Sequence, residues 1–203
     1  MLTVKNLGFC YQPGQWIFNK IEFSLKPGEV VGLFGQSGVG KTTFAKIMAG
    51  YLKPDKGWIA VDGKAYPPKG RNPVQLIGQH PEKTINPHWR MKQVLSESGE
   101  YSNKFLRKLG ISKEWMHRFP SQLSAGELQR FCLARAIALE TKYLIADEIT
   151  TMLDAIAQAQ IWQAVLQLVQ QRQLGMLVIS HELPLLKQTC HRILSFEELV
   201  GNS

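Results

Sequence analysis

Apolar residues in the first third of the chain fall into short clusters. They lie at residues 2–7, 17–25, Val30–Phe34 and 58–61, each too short for a stable helix and each bounded by turn residues. Pro13-Gly14 and Pro27-Gly28 punctuate them, so the pattern predicts strands joined by tight turns. A further strand is expected at 74–79, ending in the polar Gln79. From His80 to about Pro120 the strand pattern stops, and mixed helical stretches at 101–109 and 113–119 replace it. Helical spacing returns at 127–139 and again at 155–174, where Ile161, Val165 and Leu168, with Trp162, Leu166 and Val169, repeat every three to four residues. Gly175 is expected to cap that second helix. Apolar runs at 143–146, 176–180 and 192–196 read as buried strands. Helices alternating with apolar strands predict an α/β sheet with its active edge at the strand C-termini.

At 203 residues the chain suits one core-bearing domain with room for a small inserted lobe. No apolar run reaches the roughly 18 residues that span a bilayer, and the first residues lack the pattern of a signal peptide. The expectation is a protein kept inside the cell. Cys10, Cys132 and Cys190 are scattered thiols without a C-x-x-C pair, which argues against a disulfide framework and against zinc. Cys190 and His191 read as a structural thiol and a surface histidine. Lysine and arginine number 24 against 16 acidic residues, a formal charge of +8. The charges are spread without a basic run, so nucleic acid is not an expected partner.

A glycine-rich run between Phe34 and Phe44 points to phosphate chemistry. Gly35-Gln36-Ser37-Gly38-Val39-Gly40-Lys41-Thr42 satisfies G-x-x-x-x-G-K-[ST] between a predicted strand and a predicted helix. Glycines let backbone N–H groups turn inward where a Cβ would block phosphate oxygens. Lys41 offers a point charge to the β- and γ-phosphates and the Thr42 hydroxyl a ligand to Mg²⁺, with Thr43 continuing the cradle. A second constellation ends the strand at 143–146. Asp147 is suited to hold Mg²⁺ through water, and Glu148 to orient and polarise the water that attacks the γ-phosphate.

The segment Leu123-Ser124-Ala125-Gly126-Glu127-Leu128-Gln129-Arg130 resembles the signature of ATP-binding-cassette (ABC) ATPases, usually written LSGGQ. The resemblance covers essentially the whole chain in the right order. It implies a phosphate-loop ABC ATPase fold, a single domain over 1–203 with an N-terminal antiparallel β subdomain and a nucleotide-binding core at 1–79 and 121–203. A helical lobe is inserted at 80–120. By the same resemblance Tyr11 stacks on adenine, and Gln79 senses Mg²⁺ and the membrane partner. Leu153-Asp154 closes the D-loop and His181 is the switch histidine. Ser124, Ala125, Gly126 and Glu127 would contact the γ-phosphate held by a second cassette, from a helix opening near Glu127, so a homodimer or heterodimer is implied.

Gln79-His80-Pro81 with Ile85-Asn86-Pro87, and Leu153-Asp154 with Gln158-Ala159-Gln160-Ile161, are similar to the peptide and nickel importer branch. That branch implies permease subunits, an extracytoplasmic solute-binding protein, a peptide, nickel or metal-chelate cargo, and a place on the cytoplasmic face of the cell membrane. Exporter ATPases and soluble cassettes of repair or translation share the chemistry. Between Lys41 and Ser124 there is no room for the long coiled coil that repair cassettes carry. The signature departs from the family at Ala125 and Glu127, and Thr151-Met152 replaces the usual Ser-Ala. An alanine at 125 would be strained only if that backbone needed positive φ.

Overall fold

The structure, a computed structural model, describes residues 1–67, 69–99, 101–138 and 140–201. Two sheets carry the fold. Strand β1 (Leu2–Gln12) turns at Pro13-Gly14 into β2 (Gln15–Leu25). After β3 (Val30–Phe34) and helix α1 (Lys41–Met48), strand β4 (Lys56–Val61) returns to the other side of β1. The result is a three-stranded antiparallel sheet in the order β2-β1-β4. The second sheet adds β5 (Val74–Ile77), β6 (Tyr143–Asp147), β7 (Gly175–Ile179) and β8 (Arg192–Ser195) to β3. It is parallel throughout, in the order β5-β6-β7-β3-β8, so all its C-terminal ends meet one edge.

Between β5 and β6 run α2 (Met91–Ser96), α3 (Asn103–Lys108) and α4 (Ala125–Ala136), with short 3₁₀ turns at Pro81–Lys83, Lys113–His117 and Pro120–Gln122. Helix α5 (Ala155–Arg172) links β6 to β7, α6 (Leu183–Thr189) links β7 to β8, and α7 (Phe196–Gly201) follows β8.

Strand residues alternate between faces, and a parallel sheet covered on both sides buries both sets. Val31, Leu33, Ile145, Leu177 and Ile179 pack with Phe44, Ile47 and Met48 of α1 and with Leu2, Val4, Phe18 and Phe23 of the antiparallel sheet. Their neighbours Val30, Leu144, Ala146, Met176 and Val178 pack with α4, α5 and the helices of the 80–120 segment. The sheet is therefore held rigidly from both sides while its edge at Phe34, Asp147 and Ile179 stays open to function.

Several predicted boundaries move, for physical reasons. Gly175 does not cap α5. The left-handed cap is Gln173, at φ 52°, and Gly175 already belongs to β7. Its glycine answers to packing: a Cβ there would sit 2.5 Å from the Tyr143 ring and 2.8 Å from the Lys26 carbonyl. The helix expected at 127–139 starts two residues earlier, because Ser124 caps it, and ends at Ala136; Leu139 lies outside the described residues. The stretch expected at 113–119 is a 3₁₀ turn, Lys113–His117. Phe196 opens α7 rather than closing β8, and β5 ends at Ile77, leaving Gln79 in the following loop. His191 is exposed but not idle, since its Nδ1 accepts the Val30 N–H at 2.9 Å and so fixes the start of β3.

Candidate nucleotide site

The loop between β3 and α1 surrounds a cavity of about 240 Å³. Ser37, Gly38 and residues 40–43 form one wall, and Gln79, Asp147 and Glu148 form the other. Gly40 sits at φ 111° as the residue before α1, and a Cβ on it would lie 2.7 Å from the Ile17 side chain. Only glycine therefore lets the loop turn here while the antiparallel sheet packs behind it. The N–H groups of the first turn of α1 open toward the cavity with the positive end of the helix dipole, an arrangement that favours phosphate. Lys41, 6% exposed, donates from Nζ to the Gly35 and Gln36 carbonyls at 2.7 and 2.6 Å.

Asp147, 7% exposed, ends β6 facing this helix start. Burial pushes its carboxyl up; the Thr42 hydroxyl bonded to it pulls the other way, the Glu148 charge pushes it up again, and Lys41 pulls it down. Thr42 and Asp147, the two oxygen donors predicted for Mg²⁺, therefore meet directly. Among the described residues no group of three or more His, Cys, Asp and Glu could hold a metal by itself. Mg²⁺ takes one or two protein oxygens and completes its shell with water and phosphate, and the Thr42–Asp147 pair is a donor set of that kind.

Glu148 follows at φ 53°, a left-handed backbone that costs a non-glycine residue of order 1–2 kcal/mol. Its N–H reaches the Ile179 carbonyl at 3.0 Å, which locks the turn to the end of β7. The turn aims the Glu148 carboxylate at His181, whose Nδ1 lies 3.0 Å from Oε1. Gln79 donates to the Thr151 hydroxyl at 3.0 Å, and that hydroxyl donates to the Glu148 carbonyl at 3.1 Å. Thr151 is thus the link between the Gln79 loop and the acidic turn. Only its place beside Leu153-Asp154 marked it in the sequence. The neighbouring Thr150 accepts the buried Trp162 indole N–H at 3.1 Å, and Asp154 caps α5 by accepting from Ile156 and Ala157 at 3.0 and 2.9 Å.

Tyr11 stands at the end of β1 with its ring 62% exposed, edge-on to Phe9 at 4.9 Å. Its hydroxyl is 3.1 Å from that of Thr43, which places an open aromatic face beside the loop. Ser124 to Glu127 do not line the cavity. Ser124 accepts the Glu127 N–H at 3.2 Å and Glu127 accepts the Ser124 N–H at 2.8 Å, a reciprocal cap at an exposed helix start. The Glu127 carboxylate is thereby used in the cap. Ala125 is an ordinary helical residue without positive φ, so the departure from glycine is unstrained.

A phosphate-binding loop at the C-terminal edge of a parallel sheet, faced by an Asp-Glu pair on the neighbouring strand end, defines a phosphate-loop nucleoside triphosphatase. A family model for the ABC transporter matches residues 18–151, and the chain belongs to that family of ATP-binding, ATP-hydrolysing transporter subunits. It is 32% identical to the nickel import ATP-binding protein NikE of Escherichia coli strain K12, over 96% of this chain and 82% of that protein. NikE of Shigella dysenteriae serotype 1 is 31% identical over the same shares. Among solved structures, a dimeric ATP-binding cassette in a post-hydrolysis state, bound to ADP and Pi, superposes with a TM-score of 0.80. It is 22% identical and covers 96% of this chain and 94% of that one. A cassette of Clostridium perfringens, part of the transporter complex cbiONQ, also superposes with a TM-score of 0.80, at 23% identity over 96% and 83% of the two chains.

Proposed function

We propose that this chain energises a membrane importer of the peptide, nickel or metal-chelate branch. The observation that carries the reading is the likeness to the nickel import ATP-binding protein over 96% of the chain. The runs Gln79-His80-Pro81 and Leu153-Asp154 with Gln158-Ala159-Gln160-Ile161 agree with it.

In this reading Tyr11 stacks on the adenine. The loop N–H groups from Gly38 to Thr43 cradle the phosphates, and Lys41 leaves the carbonyls of Gly35 and Gln36 to meet them. Thr42, Asp147 and Gln79 would hold Mg²⁺, which would supply positive charge to the nucleotide's phosphates. Glu148 accepts a proton from the attacking water, and His181 holds its carboxylate in line. A second cassette supplies Ser124, Gly126 and the start of its α4 to the γ-phosphate, so that two nucleotides are sandwiched head to tail.

Motion passes to the permease next to Gln79. A recess of about 990 Å³ opens there between α1 and β5 on one side and α4 with the turn after α2 (Glu97, Ser98) on the other. Lys46, Arg71, Lys83 and Arg135 line it against Glu97, which Arg135 pairs at 3.4 Å, and Asp147; the surplus of cations suits an acidic permease segment. Among the described residues no helix is long and apolar enough to cross a membrane, which suits a subunit held peripherally at the cytoplasmic face.

Purification of the chain from membranes in mild detergent tests this. Two permease chains and an extracytoplasmic solute-binding protein should accompany it. Copurification with an exporter's membrane domain, or with no membrane protein at all, would overturn the importer reading.

A further inference from the structure

We infer that Glu197 is a positioning residue of the phosphate loop, acting on Lys41 through a single peptide unit. Helix α7 starts directly after β8, the strand beside β3, and this puts its first turn against the start of the loop. Glu197 Oε1 accepts the Gln36 N–H at 3.1 Å. Its Oε2 accepts the Ser195 hydroxyl at 2.9 Å, so both oxygens are oriented. The carbonyl of the same Gly35–Gln36 peptide accepts from Lys41 Nζ at 2.7 Å. One peptide dipole therefore lies between an anion and a cation, its N–H toward the carboxylate and its C=O toward the ammonium. A flip of this peptide would turn both ends against their partners.

Gly35 leaves room for the arrangement, since a Cβ there would lie 3.0 and 3.2 Å from the two carboxylate oxygens. The Gln36 N–H, first among several hydrogen bonds, holds the Glu197 carboxyl below the usual range, and the nearby Lys41 charge adds to this. It thus stays ionised at neutral pH.

The consequence falls on nucleotide capture. Lys41 must give up the carbonyls of Gly35 and Gln36 when phosphates arrive, and the loop then loses the cation that braced it. Glu197 keeps the peptide oriented through that exchange, so the ordering cost of binding is met beforehand. It does not line the cavity with Asp147 and Glu148, so the chemical step is left alone.

The test compares MgADP affinity, KM and kcat for ATP, and melting temperature of the full chain carrying Glu197→Ala, Glu197→Gln or Glu197→Asp. Removing a hydrogen bond to a charged acceptor should cost about tenfold in MgADP affinity and raise KM in Glu197→Ala, with kcat within about twofold. Glu197→Gln should recover about half of this on a free-energy scale, because its amide oxygen still accepts the Gln36 N–H but without the charge. Glu197→Asp keeps the charge but is one methylene too short, so it should lose most of what alanine loses. It decides the matter if the alanine variant fails to fold. Wild-type affinity in the aspartate variant, or a glutamine variant weaker than the aspartate one, would overturn the proposal.

Discussion

Oε1 of Glu148 lies 3.0 Å from Nδ1 of His181, joining the loops that leave two adjacent strands, β6 and β7. The contact exists because Glu148 takes a left-handed turn that a plain continuation of β6 would not make. A carboxylate held in this way can face an attacking water without first paying to be ordered. Glu148→Gln keeps the shape and the contact with His181 but removes the base. Steady-state hydrolysis should fall by about 10²–10⁴, while ATP still binds. Turnover near wild type at saturating MgATP would take Glu148 out of that role.

The phosphate loop and the Asp147-Glu148 turn were legible in the sequence because each is a run of residues whose backbone does the work locally. The strands beside them were legible because both faces of β3, β6 and β7 are buried, and burial leaves continuous apolar runs. Contacts between distant segments were not. Nothing local in Glu197 says that it meets Gln36, and Gly175 looked like a helix cap because glycine serves both there and where a ring packs on the backbone. Tyr143 reaches Gly175 only because β6 and β7 pair in register.

That packing makes a sharp test. Gly175→Ala puts a methyl 2.5 Å from the Tyr143 ring and 2.8 Å from a backbone oxygen, neither of which can retreat cheaply. The substitution should cost about 1–3 kcal/mol of folding stability, with the loss showing in chemical denaturation. If glycine were needed only as a cap, the loss would be smaller and Gly175→Asn would be tolerated.

In the proposed function, nucleotide capture divides between charge at Lys41 and stacking at Tyr11. Lys41→Ala removes a cation aimed at phosphate and should weaken ATP by tenfold or more while hardly touching adenosine. Tyr11→Ala removes an exposed ring and should weaken both by a similar factor, about two- to tenfold. Titration of each variant with ATP and with adenosine separates the effects, and equal losses for the two ligands in Lys41→Ala would contradict the division.

Asp147 links the site to pH. Burial raises its carboxyl pKa from an ordinary value of 3.8, so the folded chain keeps a proton at a pH where the unfolded chain has lost it. Stability therefore falls as pH rises from the unfolded value through the folded one. Asp147→Asn removes this cost. In nucleotide-free melts the variant should match wild type at the acid end and gain on it as pH rises, levelling off above the folded value, while MgATP hydrolysis is lost. A stability difference that does not change with pH would remove burial as the cause.

The exposed start of α4 allows a test of whether two chains share one site. Ser124 caps α4 at an exposed helix start outside the cavity formed by its own loop, so its hydroxyl is available to another molecule. Ser124→Arg fills that surface, and Lys41→Ala disables the cradle; each variant alone should lose most hydrolysis as a homodimer. Mixed together, they pair one intact cradle with one intact signature, while the other site carries both defects. Up to half of wild-type activity should return in the mixed dimer. No recovery in dimers shown to be mixed would count against a self-sufficient homodimer. The same assay settles Ala125. Because its backbone is already helical, Ala125→Gly should leave the rate unchanged and cost up to about 1 kcal/mol of stability from the loosened helix start. A faster rate in the glycine variant would mean that the alanine hinders phosphate approach rather than straining the chain.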